Sequence, residues 1–224
     1  MSDPLNIGRV IKRSRVTGFT EGDLLLNRIR PKQITFNVEL LGSKPKIWRR
    51  IAAPNTISLK TLHQILQIVM GWRDERLHEF EISGFKFGDA FWNKEESSLQ
   101  SYVIDERQVA LSSAVFASKK SFEYLYDFRD DWFHKITIVS IVPLQKNTIY
   151  PYCIAGERAC PPENIRGMEE YYKMLKDLKS KGATKERRLN WLEEEGYRNF
   201  DPSTFDIGKV NQILQKKFVK KQSK

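Results

Sequence analysis

F-E-Y-L-Y-D-F-R-D-D-W-F-H-K-I-T-I-V-S-I-V, residues 122–142, decides the fold of this 224-residue chain. Phe122, Tyr124, Tyr126 and Phe128 alternate with Glu123, Leu125 and Asp127, the period of a strand with one aromatic face. Residues 133–142 read as the return strand. A three-residue loop, 129–131, sets Trp132, His134, Ile136 and Ile138 opposite the aromatic face. A two- or four-residue loop instead sets Asp127 across from His134. Consistency of each face favours the first register, because a one-residue slip sends every side chain to the other side.

Working upstream, Ile34, Phe36, Val38 and Leu40 alternate as a half-buried strand, a G-S-K-P turn follows at 42–45, and I-W-R-R-I at 47–51 completes a hairpin. Ser58 offers a helix N-cap; Leu59, Leu62, Ile65, Leu66 and Val69 follow at helical spacing, and Gly71 ends the run. Residues 77–82 read as a strand, with Gly84 and Gly88 marking a turn. Residues 89–120 read as a loop with a short strand at 109–111. Beyond Pro162 the pattern predicts helices over 162–165, 168–179, 184–195 and 206–219, the last striped by Ile207, Val210, Ile213, Leu214 and Phe218. Strands first and helices last indicate α+β: a mostly antiparallel sheet packed with one helix from the N-terminal half and a C-terminal group of helices.

Forty per cent hydrophobic residues suffice for a core, and the length suits one domain with appendages. The net charge of +10 is unevenly spread. Residues 1–33 carry seven Lys/Arg against three Asp/Glu, residues 209–224 carry six lysines and no acid, and 34–208 is neutral with 25 of each. The expected organisation is a basic N-terminal arm (1–33, with an apolar Leu24-Leu25-Leu26 patch), one α+β domain (34–208), and a basic C-terminal helix end and tail (209–224). Basic ends can hold phosphate backbone without reading sequence; they also serve as solubilising tails. No apolar run approaches the roughly 18 residues of a membrane helix, so no membrane partner is expected. The N-terminus has no signal pattern, which predicts a cytoplasmic location, and two cysteines are too few for a disulfide framework.

The residue types from which reactive sites are built gather between 122 and 163. His134, Cys153 and Cys160, with an aspartate from Asp127, Asp130 or Asp131, are chemically acceptable ligands for a divalent metal, although the six residues between the cysteines exceed common zinc spacing. The plain alternative is two small buried thiols and a satisfied core histidine. Cys160 before Pro161-Pro162-Glu163 also suits a thiol at a helix N-terminus with His134 as base, though no oxyanion turn or orienting residue accompanies it. The aspartates, with Glu79 and His78, could hold Mg²⁺ or Mn²⁺, but Arg129-Asp130-Asp131 sits where a hairpin turn is expected. A wider polar cluster is drawn from His63, His78, Asp127, Asp131, His134, Glu157, Arg158 and Glu163. Nucleic-acid contact is assigned to Arg49, Arg50, Lys216, Lys217, Lys220 and Lys221. In a strand, Trp48 and Arg49 face oppositely, and the plain expectation is a core Trp beside a solvated Arg; Trp72 closes the core.

Six motifs occur in order: W-R-R-I (48–51), T-L-H-Q-I-L-Q-I-V-M-G-W (61–72), L-H-E-F (77–80), Y-D-F-R-D-D-W-F-H (126–134), C-I-A-G-E-R-A-C-P-P-E-N (153–164) and F-D-P-S-T-F-D-I-G-K-V-N (200–211). Over about residues 33–215 the chain closely resembles the plasmid pRiA4b ORF-3-like family. The resemblance implies an α+β domain associated with mobile DNA, without an assigned chemistry. Arg129 departs from the glycine that usually follows Y-D-F, and Asn164-Ile165-Arg166-Gly167 replaces a common D-C-G-G or D-V-G-G. Two functions compete: a non-catalytic protein- or nucleic-acid-interaction module, and a metal-dependent hydrolase or nuclease using the His/Asp/Cys cluster. A cysteine-based enzyme is a third.

Overall fold

In the computed structural model, which describes residues 31–89, 103–118 and 120–219, alternation and capping produce the elements in this order. Strands β1 (Lys32–Leu40) and β2 (Ile47–Pro54) precede helix α1 (Leu59–Met70). Then come β3 (His78–Ile82), β4 (Phe85–Gly88), β5 (Val103–Asp105), a 3₁₀ turn (Glu106–Gln108) and α2 (Leu111–Ser118). The long hairpin β6 (Ser121–Tyr126) and β7 (Trp132–Pro143) leads to β8 (Tyr152–Glu157), α3 (Gly167–Lys179), α4 (Ala183–Glu194) and α5 (Ile207–Phe218). The strands form one sheet in the order β5-β4-β3-β6-β7-β1-β2-β8, antiparallel except for the β4–β5 pair. The fold is α+β. Among the described residues, no helix is long and apolar enough to cross a membrane.

Helix α1 forms where its caps place it. The Ser58 side chain accepts from Thr61 N, and Gly71, at φ 85°, ends the helix in the left-handed region that glycine enters without a Cβ clash. Its stripe of Leu59, Leu62, Ile65, Leu66 and Val69 is buried with Phe36, Val38, Phe80 and Tyr124 from the sheet. Each buried aliphatic side chain contributes about 1.5–3 kcal/mol.

The central hairpin keeps the expected faces but not the expected pairs. Tyr126 pairs with Trp132, Tyr124 with His134 and Phe122 with Ile136, so the loop has five residues instead of three and the register is shifted by two residues. Asp127 is the cause. At φ 58° it leaves the strand, its carbonyl accepts the Asp130 and Asp131 amides, and its Oδ1 accepts the Arg129 amide. Phe128, expected on the aromatic face, sits in the turn and is exposed.

Four further expectations are corrected. Residues 162–165 are not helical, because Pro161 O and Glu163 are drawn to Trp72, Arg73 and Tyr126 instead of starting a helix. Strands β4 and β8 were not foreseen. Within 89–120, the described part holds β5, the 3₁₀ turn and α2 rather than loop, and the strand expected at 109–111 reduces to one bridge, Ala110 with Ser58. Lys32 and Gln33, assigned to the arm, begin β1. The rest of the arm through residue 30, its leucine patch, and Lys220 and Lys221 lie outside the described residues.

The edge strand β8 is covered by α5. The Asn211 amide accepts from Cys153 N at 2.7 Å and donates to Cys153 O at 3.0 Å, occupying backbone groups that an exposed edge would offer to another chain. Gly156 in β8 lies under Phe205 and Arg49. A Cβ there would stand 2.6 Å from Phe205 Cε1 and 2.8 Å from Arg49 Cδ. Gly156→Ala is therefore expected to lower the urea midpoint, at a cost of about 1–3 kcal/mol.

Candidate functional site

Past Gly71 the chain W-R-D-E-R-L-H crosses from α1 to β3, and its backbone is held by side chains. The amides of Arg73, Asp74 and Glu75 donate to Glu163 Oε2 (3.0 Å), Gln67 Oε1 (3.0 Å) and the Tyr126 hydroxyl (3.1 Å). The Tyr126 hydroxyl in turn donates to Glu163 Oε1 at 2.5 Å. Glu163, from the non-helical P-P-E segment, thus ties this connection to the end of the sheet. Asp74, at φ 63°, is turned back towards the core.

That turn brings Asp74 to His63, which with Gln67 is a buried polar residue of α1. Asp74 Oδ1 lies 2.5 Å from His63 Nε2; His63 Nδ1 lies 2.8 Å from the Tyr124 hydroxyl, which also accepts from Gln67 Nε2 at 3.0 Å. Because Gln67 Oε1 accepts the Asp74 amide, the four residues close a ring of hydrogen bonds. It is consistent if His63 Nε2–H donates to Asp74 and the Tyr124 O–H donates to His63 Nδ1. His78, inward-facing on β3, stacks on His63 with ring centroids 3.4 Å apart and planes within 6°. Its Nε2 lies 2.7 Å from Glu106 Oε2 on the 3₁₀ turn. Glu106 Oε1 has the Lys60 ammonium at 3.3 Å but no hydrogen-bond partner.

Burial sets the electrostatics here. It lowers His63 from 6.5 to about 4, against the opposing pull of Asp74. Burial would raise Asp74 and Glu106, yet hydrogen bonds and charge from His63 and His78 leave both below their ordinary values. Burial also pushes the Tyr124 phenol well up, so it acts as a neutral hydroxyl.

The structure brings His63 and His78 together but leaves His134 apart from the cysteines. His63, Asp74 and His78 are the group of three metal-capable side chains found among the described residues; His134, Cys153 and Cys160 form none. His134 packs against Trp72 and Tyr124, its Nδ1 faces Tyr124 O at 3.3 Å, and burial lowers it to about 4. Cys153 is buried under α5, which raises its thiol to about 11; buried Cys160 is likewise raised. Neither offers a ready thiolate, and Cys160 stands at no helix N-terminus. Asp127 and Asp130 are buried in the hairpin turn, where Asp130 Oδ2 accepts the Arg166 amide at 2.8 Å, and Asp131 is exposed there. Glu157 and Arg158 end β8 and its turn, their carbonyls accepting from Arg49.

Arg49, expected on the solvent face, is 1% exposed. It shares its face of β2 with Ile47 and Ile51, so the expected core Trp and solvated Arg are exchanged: Trp48 is the half-buried one. Arg50 donates to Asn37 Oδ1 at 2.8 Å on the outer face, while Lys216 and Lys217 are exposed in the last turn of α5.

A second feature lies beside Arg76. An open cleft of about 450 Å³ is lined by Arg76, Arg129, Arg166 and Arg188, with Trp191, Glu170 and Glu195. Arg76 donates to Asn164 Oδ1 and lies 3.5 Å from Asp127. Arg129 pairs with Asp130 at 3.0 Å, and Arg188 pairs with Asp177 at 2.9 Å while lying over the Trp191 ring. The exposed Arg166 side chain has no hydrogen bond or ion pair among the described residues, and its backbone sits at φ 69°. Arg129 and Arg166 are the two arginines that stand where the family resemblance leads to glycine.

Sequence reasoning named His63 and His78 but missed Asp74, Glu106, Gln67 and Lys60. The available signal was a histidine at 63 beside the buried α1 stripe and another at an inward β3 position. Their acidic partners come from a loop and a 3₁₀ turn, which carry no periodicity.

Comparison with known proteins agrees with the fold. The family described as "Plasmid pRiA4b ORF-3-like protein" matches residues 32–209. A relative from Sinorhizobium fredii (strain NBRC 101917 / NGR234), named "Uncharacterized protein y4hQ", is 34% identical over 184 residues, spanning 81% of this chain and 90% of that protein. The crystal structure of MM3350, a protein of unknown function from Methanosarcina mazei Go1, matches with a TM-score of 0.69 at 33% identity, covering 81% of this chain and 99% of the other. The chain belongs to the plasmid pRiA4b ORF-3-like protein family.

Proposed function

We propose that the domain is a non-catalytic interaction module, associated with mobile DNA, that holds the phosphate backbone of nucleic acid in the arginine-lined cleft. The convergence of Arg76, Arg129, Arg166 and Arg188 on one concave surface carries this reading. A guanidinium fork matches two phosphate oxygens, which makes arginine the side chain of choice for phosphate recognition. Glu170 and Glu195 share the lining, and Asp127, Asp130 and Asp177 pair with Arg76, Arg129 and Arg188, so Arg166 is the arginine here whose charge meets no ion-pair partner among the described residues. Arg166, unpaired among the described residues, and Arg129, 58% exposed at its side chain, are the two placed to take phosphate oxygens. Arg76 and Arg188, less exposed than Arg129, supply the surrounding field. Arg50, Lys216, Lys217 and the basic ends add sequence-independent attraction. The family's plasmid-derived name is in keeping with a nucleic-acid partner.

The test is fluorescence anisotropy with short single-stranded and duplex oligonucleotides at salt between about 50 and 200 mM. The Arg129→Glu/Arg166→Glu double variant is expected to bind at least about tenfold more weakly, with the salt slope flattened by about 2. Removing residues 1–30 and 220–224 should weaken binding further while sparing α5, whose Leu214 is buried. Unchanged affinity in the double variant would remove the cleft from the function. Binding lost only on trimming the ends would assign it to the tails.

A further inference from the structure

The structure assigns His63, Asp74 and His78 as a binding site for one divalent first-row transition-metal ion of the zinc class. One ring nitrogen from each histidine and one Asp74 oxygen lie within 4.8 Å of one another, so small side-chain movements suffice to bring all three onto one ion. Two imidazoles and one carboxylate select zinc-like ions over Mg²⁺ or Ca²⁺, which prefer all-oxygen shells. This inference is independent of phosphate recognition in the cleft.

Hydrogen bonding decides which atoms are available. His78 Nε2–H donates to the Glu106 carboxylate at 2.7 Å, so the lone pair of a neutral His78 sits on Nδ1, which has no hydrogen bond among the described residues. Glu106 is 1% exposed; its Oε2 orients His78 while its Oε1 faces the Lys60 ammonium at 3.3 Å. A buried carboxylate on the far nitrogen is the partner that a metal-bound histidine uses to fix its ring and raise its basicity.

His63 is arranged in the same way. Its Nε2 faces Asp74, and its Nδ1 faces the Tyr124 hydroxyl at 2.8 Å. Coordination through Nε2 moves the ring hydrogen to Nδ1, from which it donates to the Tyr124 oxygen. The hydroxyl hydrogen then loses its acceptor, a small cost beside three metal–ligand bonds. Asp74 is the ligand that reaches solvent, 37% of its side chain being exposed, and it provides the entry path. The stacked rings must change. An imidazole lone pair lies in the ring plane, so two parallel rings cannot both aim at one ion. Binding therefore opens the 3.4 Å stack.

The test uses the full chain without an affinity tag, stripped with chelator, then titrated calorimetrically with Zn²⁺ and spectroscopically with Co²⁺. One equivalent per chain is expected, with histidine ring proton resonances shifting as the stack opens. Asp74→Asn should weaken binding at least tenfold and His78→Ala at least a hundredfold, each variant being checked for folding by circular dichroism. The Cys153→Ser/Cys160→Ser double variant should bind like the parent. The site is wrong if folded chain takes up no stoichiometric Zn²⁺ at micromolar concentration. It is also wrong if folded Asp74→Asn and His78→Ala bind normally, or if the cysteine variant loses the metal. Oligonucleotide binding, measured on separate chelator-treated samples, keeps failure here distinct from failure of the cleft.

Discussion

Arg49→Ala is expected to destabilise the protein by about 3 kcal/mol or more, since a buried acceptor left without its donor costs about 1–3 kcal/mol and several lose theirs together. The guanidinium uses all five of its N–H donors. Nε donates to Val69 O at 2.7 Å, Nη1 to Trp48 O and Glu157 O at 2.8 Å each, and Nη2 to Arg158 O at 2.8 Å and Cys160 Sγ at 3.4 Å. None of these acceptors is a carboxylate. The charge is instead met by four carbonyl dipoles and by the Phe205 ring, 3.8 Å below the guanidinium carbon. Val69 O is one of the last carbonyls of α1, where the helix dipole is negative and no intrahelical donor exists. Gln67 O and Ile68 O are taken by the Gly71 and Trp72 amides, so Arg49 completes the C-cap. Alanine would take this donor from the buried Val69 carbonyl and from three partly buried ones, and leave a void joining β2, β8 and α1. Arg49→Lys should recover only part of the loss, since three donors on one nitrogen cannot span the fork. Urea unfolding followed by tryptophan fluorescence measures both. An alanine variant within 1 kcal/mol of the parent would show that the side chain is incidental.

The same residue shows what could be read beforehand. The parity of β2 was visible: Ile47, Arg49 and Ile51 share one face. The charge argued for solvent, and only the non-local acceptors from α1 and the 157–160 turn reverse it. The β1–β2 hairpin and α1 were legible because their signals are local, alternation in one case and Ser58 and Gly71 caps in the other. The β6–β7 faces were legible for the same reason. Their register was not, because it depends on Asp127 adopting a left-handed backbone that the sequence permits without requiring. Pro161-Pro162 suits a helix start, yet Glu163 is held by Tyr126 and Arg73 from distant parts of the chain. Candidate site residues followed the same division: the histidines stood out by type, while Asp74 and Glu106 looked like ordinary surface acids.

Stability should fall as pH drops from about 6.5 to 4, and His134→Phe should remove about half of that fall. Burial holds folded His134 at about 4, against 6.5 for an unperturbed histidine. Between these values the unfolded chain binds a proton that the folded chain refuses, so acid favours unfolding. The stabilisation is whole above about pH 6.5 and is lost as pH falls through 4, reaching on the order of 3 kcal/mol there. His63, lowered to about 4 by the same cause, adds a fall of the same sign. Glu106 and Asp74, held below their ordinary values of 4.5 and 3.8, add theirs as pH falls through those values. Phenylalanine suits the site of His134 because Trp72 and Tyr124 flank the ring and its Nε2 has no partner to lose. It forfeits the 3.3 Å contact to Tyr124 O, a net cost of about 1 kcal/mol at pH 7. Near pH 4.5 that deficit should reverse to a net gain of about 1–2 kcal/mol over the parent, as the variant no longer loses about 2–3 kcal/mol to titration. Urea midpoints at pH 7, 5.5 and 4.5, with chelator present so that His63 carries no metal, give both slopes. Parallel slopes would mean that His134 is protonated in the fold, against the apolar packing that surrounds it.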